Sequence, residues 1–336
     1  MKEAIILKGP EVNIIDSPIP TPSPDQVVTK VVFSGSNPKD WKVAEWMDIK
    51  VNQGDDISGI VHAVGTNVTE FKPGDRVAAF HEMLKPGGSY AEYALSWEHT
   101  TFHLPSSTTF EEGASLPLAS MTAALGMYQR LGLPVPWTPA EKKGQSGPLL
   151  IWGASAAVGS YALQFAVKSG IHPVICVAGR AGDHVKKFLD ESKGDVVLDY
   201  RKGDDVVIQQ IKDALKGGKL HYAFDAVSEN GSYQAIVKVL ESDGHITLVL
   251  PGKKYPEIPE SVHKTITSVG ASHNNPEDKD FAYVFFRYIS KGLKDGWFKG
   301  HPTEKIPGGL GGVQQGLTNL KEGKASAVKY IFRIDE

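Results

Sequence analysis

The chain is nearly without cysteine. Cys176 is the single one among 336 residues. No intramolecular disulfide can form, and no multi-cysteine zinc site can be assembled. Long apolar runs are also missing. None approaches the ~20 residues that span a bilayer. The N-terminal stretch Ala4-Ile5-Ile6-Leu7 is too short for a signal-peptide core and reads as a first strand ending at a Gly9-Pro10 turn. An excess of one charge is lacking too. Net charge is −3, with 36 basic and 39 acidic residues, and there is no basic stripe of the kind that binds nucleic acid. The short clusters Lys142-Lys143 and Lys253-Lys254 sit beside Gly or Pro and read as loop charges. The terminus shows no lipidation or retention signal. These absences set the expectation of a cytoplasmic protein with neither nucleic-acid nor membrane partners. No internal repeat and no low-complexity tract is found.

What is present is an ordinary globular mixture, 41% hydrophobic and 22% charged, at a length that suggests two domains. Texture changes along the chain. Up to about Leu116, short β-prone runs at 27–33, 57–64, 76–80 and 90–95 are separated by turn signals such as Pro73-Gly74-Asp75 and Pro86-Gly87-Gly88. This spacing suggests a β-barrel-like domain. The middle alternates strand candidates (149–152, 173–178, 196–199, 222–226, 246–250, 265–270) with helical stretches at 158–169, 183–191, 204–215 and 233–240. That alternation indicates an α/β fold with a doubly wound parallel sheet. The last region offers a helix at 281–291, a glycine-rich loop at 307–312 and a strand at 327–334. It is too small to stand alone and is expected to rejoin the first.

The most informative segment is Leu149-Leu150-Ile151-Trp152-Gly153-Ala154-Ser155-Ala156-Ala157-Val158-Gly159. A buried strand runs through a turn of small residues into a helix. A dinucleotide pyrophosphate sits in such a place, because the helix start offers unpaired N–H groups and small residues allow close approach. Aligned on Val158-Gly159, however, the G-x-G-x-x-G template falls on Ala154, Ala156 and Gly159, so two glycines are replaced. An ordinary strand–helix turn is the bland alternative. The second strand adds weight. Where NAD-preferring proteins carry an acid, this chain has Ala178-Gly179-Arg180. With no carboxylate to repel a 2′-phosphate and a guanidinium to pair with it, NADPH is the expected cofactor. Arg180 as a mere solvated cation is the rival reading. Tyr200, after the third strand, is placed to pack on the adenine edge or reach the 2′-phosphate, or else is a simple edge tyrosine. Val227 completes the set of cofactor candidates in this region.

Short blocks then follow one another in order. Asn37-Pro38-Lys39-Asp40-Trp41-Lys42 carries N-P-x-D. Gly54-Asp55-Asp56-Ile57-Ser58-Gly59-Ile60-Val61 with Gly65 carries G-x-D-x-x-G-x-V…G. Gly74-Asp75-Arg76-Val77, Gly87-Gly88-Ser89-Tyr90-Ala91-Glu92-Tyr93, Ala114-Ser115-Leu116-Pro117 with Thr122-Ala123, and Gly323-Lys324 continue the series. Each is weak alone. As an ordered set they resemble the zinc-independent medium-chain dehydrogenase/reductase superfamily, in its quinone oxidoreductase-like and fungal ToxD-like trans-acting enoyl reductase branch. The loop 133–147, Trp41 and the alanine-rich turn resemble the fungal side.

The resemblance implies a Rossmann NADPH-binding domain, 118–278, and a split, GroES-like β-barrel catalytic domain formed by 1–117 together with 279–336. It implies roles for Lys42 and Thr122 near the nicotinamide and the substrate carbonyl, and for Asn37 in organising the cleft. Backbone groups of Leu250-Pro251 and Ala271-Ser272 are expected at the nicotinamide carboxamide. Zinc-containing members carry Gly-His-Glu where this chain has Gly54-Asp55-Asp56, and with one cysteine no metal is expected. Asp55 and Asp56 read as a turn residue and a buried structural carboxylate, and His62, His81 and Glu82 as strand or loop residues.

Without a metal, a substrate carbonyl has to be polarised by hydrogen bonds or a cation. That suits hydride transfer from NADPH to an α,β-unsaturated carbonyl (enone or enoyl thioester) or a quinone. Reduction of aldehydes at C=O and a non-catalytic, crystallin-like NADPH-binding role remain alternatives. The expected partner is a small-molecule substrate, with a polyketide synthase as a further partner for a trans-acting enzyme. Monomer and homodimer both stay open.

Overall fold

An antiparallel ribbon, Lys2–Ile6 (β1) and Val12–Asp16 (β2), opens the chain. A larger sheet follows, built from Gln26–Gly35 (β3), Asp56–Val64 (β4), Arg76–Phe80 (β5), Tyr93–Trp97 (β6) and Thr101–His103 (β7). The computed structural model describes residues 1–138 and 147–335. It divides into two compact units: Met1–Leu118 with Gly270–Glu336 (unit 1), and Ala119–Val269 (unit 2). The division read from the sequence put the second boundary at 278/279. The contacts put it nine residues earlier, because the short helix Ala271–Asn274 packs on Pro276–Asp295 and its Ser272 carbonyl accepts a hydrogen bond from His99 Nε2 at 3.0 Å. Lys142-Lys143 and much of the loop 133–147 lie outside the described residues.

In unit 1 β3 is the organising strand. One edge pairs with β4 along its length. The other is shared, β6 bonding to Gln26–Lys30 and the C-terminal strand Lys329–Arg333 (β15) to Phe33–Gly35. Two register shifts in the β3–β4 ladder, at Val28/Thr29 and Val31/Phe33, bend the sheet. The parallel strand Thr303–Ile306 (β14) extends it beyond β15. Ile6, Val31, Ile57, Tyr90 and Phe332 meet in the core. The strand expected at 90–95 forms at Tyr93–Trp97 instead. Before it, Ala91 makes only an isolated antiparallel bridge to Glu3 of β1, with Ala4 N–H donating to Tyr90 O and Glu92 N–H to Lys2 O.

Unit 2 contains six parallel strands: Leu149–Trp152 (β8), Val174–Ala178 (β9), Val196–Asp199 (β10), Tyr222–Asp225 (β11), His245–Leu248 (β12) and His263–Ile266 (β13). Their order is β10-β9-β8-β11-β12-β13. The first and fourth strands of the unit therefore lie side by side, and the chain winds outwards from them in both directions. That is the doubly wound arrangement, with its crevice at the carboxyl ends of the strands. Apolar β8 and β9 are fully buried, as a parallel sheet covered on both faces requires. The last strand was expected at 265–270. It begins two residues earlier with His263 and Lys264, both exposed, as a sheet edge tolerates.

Candidate active site

The turn expected to take the pyrophosphate lies at the carboxyl end of β8. Gly153 has φ +78°, in the left-handed region, and a Cβ there would stand 2.6 Å from Val227 Cγ2. The tight-turn glycine is thus Gly153, one residue before the template position that Ala154 occupies. Ala154 is buried and Gly153 and Ala154 N–H both donate to Val177 O. Gly159, in the first turn of helix Ala157–Lys168, is equally constrained: a Cβ would lie 2.2 Å from Gly153 O. Strand, turn and helix start are therefore locked together with no room for side chains. The first N–H groups of this twelve-residue helix, around Ala157, Val158 and Gly159, have no intrahelical acceptors. Ser155 is half-buried and Ala156, the N-cap, exposed.

The other cofactor candidates of unit 2 fall on the same sheet edge, since parallel strands all end on one side. Ala178 closes β9, with Gly179 and exposed Arg180 beyond it. Tyr200 follows β10, and its ring lies on Gly179, whose Cβ would be 2.9 Å from Tyr200 Cε1. Asp199, the acid that closes β10, is gripped by Arg201 (Nη2 to Oδ2 2.6 Å), and that hydrogen bond holds its carboxyl low, at about 2. Arg180 carries no such partner among the described residues. Val227 follows β11, where Asp225 accepts from Ser232 Oγ (2.6 Å), Ser228 N and Val227 N. Leu250 and Pro251 follow β12, and Leu250 O accepts from Tyr255 OH at 2.8 Å. Thr122, also in unit 2, is buried in helix Pro117–Ala124, which runs directly into the π-helical turn Leu125–Arg130. Such turns are frequent at functional sites.

Burial raises the Asp225 carboxyl to about 6. The raised value means that the folded state holds this proton more tightly than the unfolded one. Its contribution to stability is complete below the ordinary carboxylate range and is lost as pH rises through about 6. Asp225→Asn should therefore become more stable relative to the wild type as pH rises across that window. Thermal melts of both proteins at several pH values check this, and a constant difference would contradict it.

Unit 1 holds the remaining candidates on helix Pro38–Met47. Its start is written in Asn37-Pro38-Lys39-Asp40: Pro at the first helical position, and Asp40 Oδ2 accepting from Asn37 N at 2.7 Å. Asn37 is buried and both ends of its amide are engaged. Nδ2 donates to Asp56 Oδ2 (2.7 Å), and Oδ1 accepts from Lys329 Nζ (2.9 Å). Lys329 also donates to Asp56 Oδ2 at 2.5 Å, and Leu118 N to Asp56 Oδ1 at 2.6 Å. Lys42 is half-buried, its ammonium 5.7 Å from the Trp41 ring centroid and 5.9 Å from that of Trp46. Ala271 and Ser272 belong to this unit too, with Ser272 fully buried.

Next to this lies a second charged cluster that sequence reasoning missed. Lys39 Nζ is ion-paired with Asp55 Oδ2 and reaches Asp40 Oδ1 at 3.1 Å and Gln53 O at 2.5 Å. Asp55 Oδ1 bonds His81 Nδ1 at 2.9 Å, and Tyr90 OH donates to Asp40 Oδ2 at 2.6 Å. Asp55 is thus no turn residue but a fully buried ion-pair partner. Burial lifts Asp40 to about 6, whereas Asp55 is held low by the Lys39 ammonium and His81 despite its burial. The only available signal was the pair of charges at the open positions of N-P-x-D and G-x-D.

The residues do not fit a zinc ion. At the position where zinc-containing members carry histidine, Asp55 holds an ammonium, and Asp56 is filled by three donors. Cys176 is buried in β9 of unit 2, where burial pushes its thiol up. His62 is exposed and packs on Tyr93, and Glu82 accepts from Trp97 Nε1. Among the described residues no group of three His, Cys, Asp or Glu is placed to hold a metal. Nor is any of their helices long and apolar enough to cross a membrane.

Two family matches agree with this layout. Residues 23–106 match the alcohol dehydrogenase GroES-like domain, and residues 157–287 the family described as zinc-binding dehydrogenase. A quinone oxidoreductase of Pseudomonas syringae has the same fold, with a TM-score of 0.77 at 21% identity over 98% of this chain and 99% of that one. The chain belongs to the medium-chain dehydrogenase/reductase superfamily.

Within it the near-full-length relatives include trans-enoyl reductases. One, fsr4 of Gibberella fujikuroi, is 56% identical over 92% of this chain and 91% of its own length. Another, ACTTS2 of Alternaria alternata, is 32% identical over 97% and 96%. The chain belongs to this enoyl reductase branch.

Proposed function

We propose that the protein is a metal-free, NADPH-dependent, trans-acting enoyl reductase. It saturates the C=C bond of an α,β-unsaturated thioester or enone, with the acyl chain carried by a polyketide synthase. The observation that carries the reading is the 56% identity to a trans-enoyl reductase along nearly the whole chain. The turn Gly153–Gly159 and the cationic end of β9 support the cofactor assignment.

The cofactor, when bound, supplies the hydride. Backbone N–H groups of Ser155, Ala157, Val158 and Gly159 would hold its pyrophosphate, at a turn shaped by Gly153 and Ala156, whose own N–H groups bond within the protein. Arg180 pairs with the 2′-phosphate, and Tyr200 packs beside it. Val227, Leu250 and Pro251 of unit 2 would border the nicotinamide. In unit 2 Thr122 would serve as a hydroxyl donor; Lys42, on its helix in unit 1, is taken by itself as a cofactor or enolate contact. Asn37, engaged at both amide ends, acts as a positioning residue that fixes the helix carrying Lys42. The deciding assay follows loss of NADPH absorbance, with products identified, on enoyl thioesters, quinones and simple aldehydes in parallel with NADH. A saturated thioester from NADPH supports the reading. Turnover of aldehydes alone would replace it with carbonyl reduction.

Arg180→Ala tests the cofactor preference directly. A guanidinium–phosphate bond contributes about 1.5–3 kcal/mol, so KM for NADPH should rise between about tenfold and a hundredfold. KM for NADH should hardly move. An equal effect on both cofactors would remove the 2′-phosphate contact.

A further inference from the structure

Lys39 does not behave as a solvated lysine. Its side chain is 17% exposed, while those of Asp55 and His81 are 1% and 2% exposed. A cation in the first turn of a helix also opposes the helix dipole. A purely structural contact at this point would be served as well by apolar side chains of the same volume. Both ring nitrogens of His81 are engaged, Nδ1 with Asp55 Oδ1 at 2.9 Å and Nε2 with Pro86 O at 3.2 Å. His81, Asp55, Lys39 and Asp40 form one buried line in which the Lys39 ammonium is flanked by two carboxylates. Lys39 is the one basic member that keeps a partly exposed edge. It stands three residues before Lys42, on the same side of the helix. Gln53, whose carbonyl Lys39 grips, is 1% exposed, and neither its amide nitrogen nor its amide oxygen has a hydrogen-bond partner. A buried, unpaired amide beside a held ammonium is a polar site built to receive a ligand atom.

We propose that Lys39 is the proton donor that completes the reduction, held in place by Asp55 and His81. The inference rests on the enoyl reductase reading above. Hydride adds to the β-carbon with its electron pair, and the C=C π pair moves to give the enolate. A Lys39 N–H bond then breaks as its proton forms the new C–H bond at the α-carbon. The saturated acyl group and a neutral amine remain, and water re-protonates the amine at its exposed edge. The proton that turns to the substrate comes from the 3.1 Å contact to Asp40 Oδ1, the longest of the three. Asp40 keeps Asn37 N–H and Tyr90 OH as donors when that contact opens. Asp55 and Asp40 hold Lys39 in its charged form although burial opposes this, so the proton is present at neutral pH.

The test uses the full chain with NADPH and a 2-methyl-2-enoyl thioester, whose reduction creates a stereocentre at the α-carbon. Lys39→Arg keeps the charge and the ion pair but gives up no proton at neutral pH. Lys39→Met/Asp55→Leu removes both charges together. Each folded variant should bind NADPH within about twofold of the wild type, with kcat lower by about a hundredfold, the contribution of a placed general acid. Its product should be a mixture of α-configurations, because water replaces the fixed donor. A structural role would leave kcat and the single configuration intact in the Arg variant. That result, or a folded double variant within threefold of the wild type, overturns the proposal. Wild-type protein that leaves the thioester unreduced while reducing aldehydes would instead sink the enoyl reductase reading, and this inference with it.

Discussion

Lys329→Met is expected to remove a large share of the stability of unit 1, although position 329 lies in the last strand, far in sequence from the helix it supports. Lys329 is 4% exposed, and its ammonium is shared by Asp56 Oδ2 and Asn37 Oδ1. Methionine fills most of the volume but leaves the Asp56 carboxylate buried with one donor fewer and the Asn37 oxygen unpaired. Removing one partner of a buried pair costs about 3–5 kcal/mol, against a total stability of about 5–15 kcal/mol. Urea unfolding should show the transition of unit 1 at a much lower midpoint, with the unit 2 transition little changed. Adding Asp56→Leu should recover only part of the loss, since Leu118 N–H and Asn37 Nδ2 then lose their acceptor. A single variant that loses less than about 1 kcal/mol, the range of an exposed pair, would show that water reaches this network.

That network also marks where sequence reading stops. Local pattern was enough for elements whose residues agree with one another. Arg76–Phe80, Leu149–Trp152, Val196–Asp199 and Asp204–Leu215 lie where apolar spacing and turn residues placed them. Helix Pro38–Met47 was legible and not read: Asn-Pro-x-Asp is a helix start as well as a family signature. Strand β2 escaped because four of its five residues are exposed, so no buried face marks it. That the cofactor candidates of unit 2 share one sheet edge could be foreseen from sequence, because parallel strands bring their carboxyl ends together whatever the loops do. The charged clusters could not. Lys39 meets Asp55 and Lys329 meets Asp56 only through the pairing of β3 with β4 and β15, and no local period carries that information.

Gly159→Ala should weaken NADPH binding by about a hundredfold or more while unit 2 stays folded. A Cβ at 159 would stand 2.2 Å from Gly153 O, 2.8 Å from its carbonyl carbon and 2.9 Å from Ala154 Cα. All three are backbone atoms, so no side chain can turn away to make room. The turn has to move off the helix, and it cannot move freely. Gly153 and Ala154 N–H are tied to Val177 O at 2.9 and 3.0 Å, and Gly153 packs against Val227. The displacement therefore falls on the helix start, the group of N–H donors that the pyrophosphate needs in register. A loss of alignment at several charge-assisted bonds, each about 1.5–3 kcal/mol, amounts to a weakening of a hundredfold or more, roughly 2.7 kcal/mol upward. Fluorescence titration of NADPH measures it directly, and circular dichroism shows whether the sheet survives. NADH should weaken by a similar factor, because the pyrophosphate is common to both cofactors. That common loss separates the phosphate turn from Arg180, whose removal should weaken NADPH alone. An alanine variant that binds both cofactors as the wild type does would mean that the pyrophosphate lies elsewhere on the strand ends.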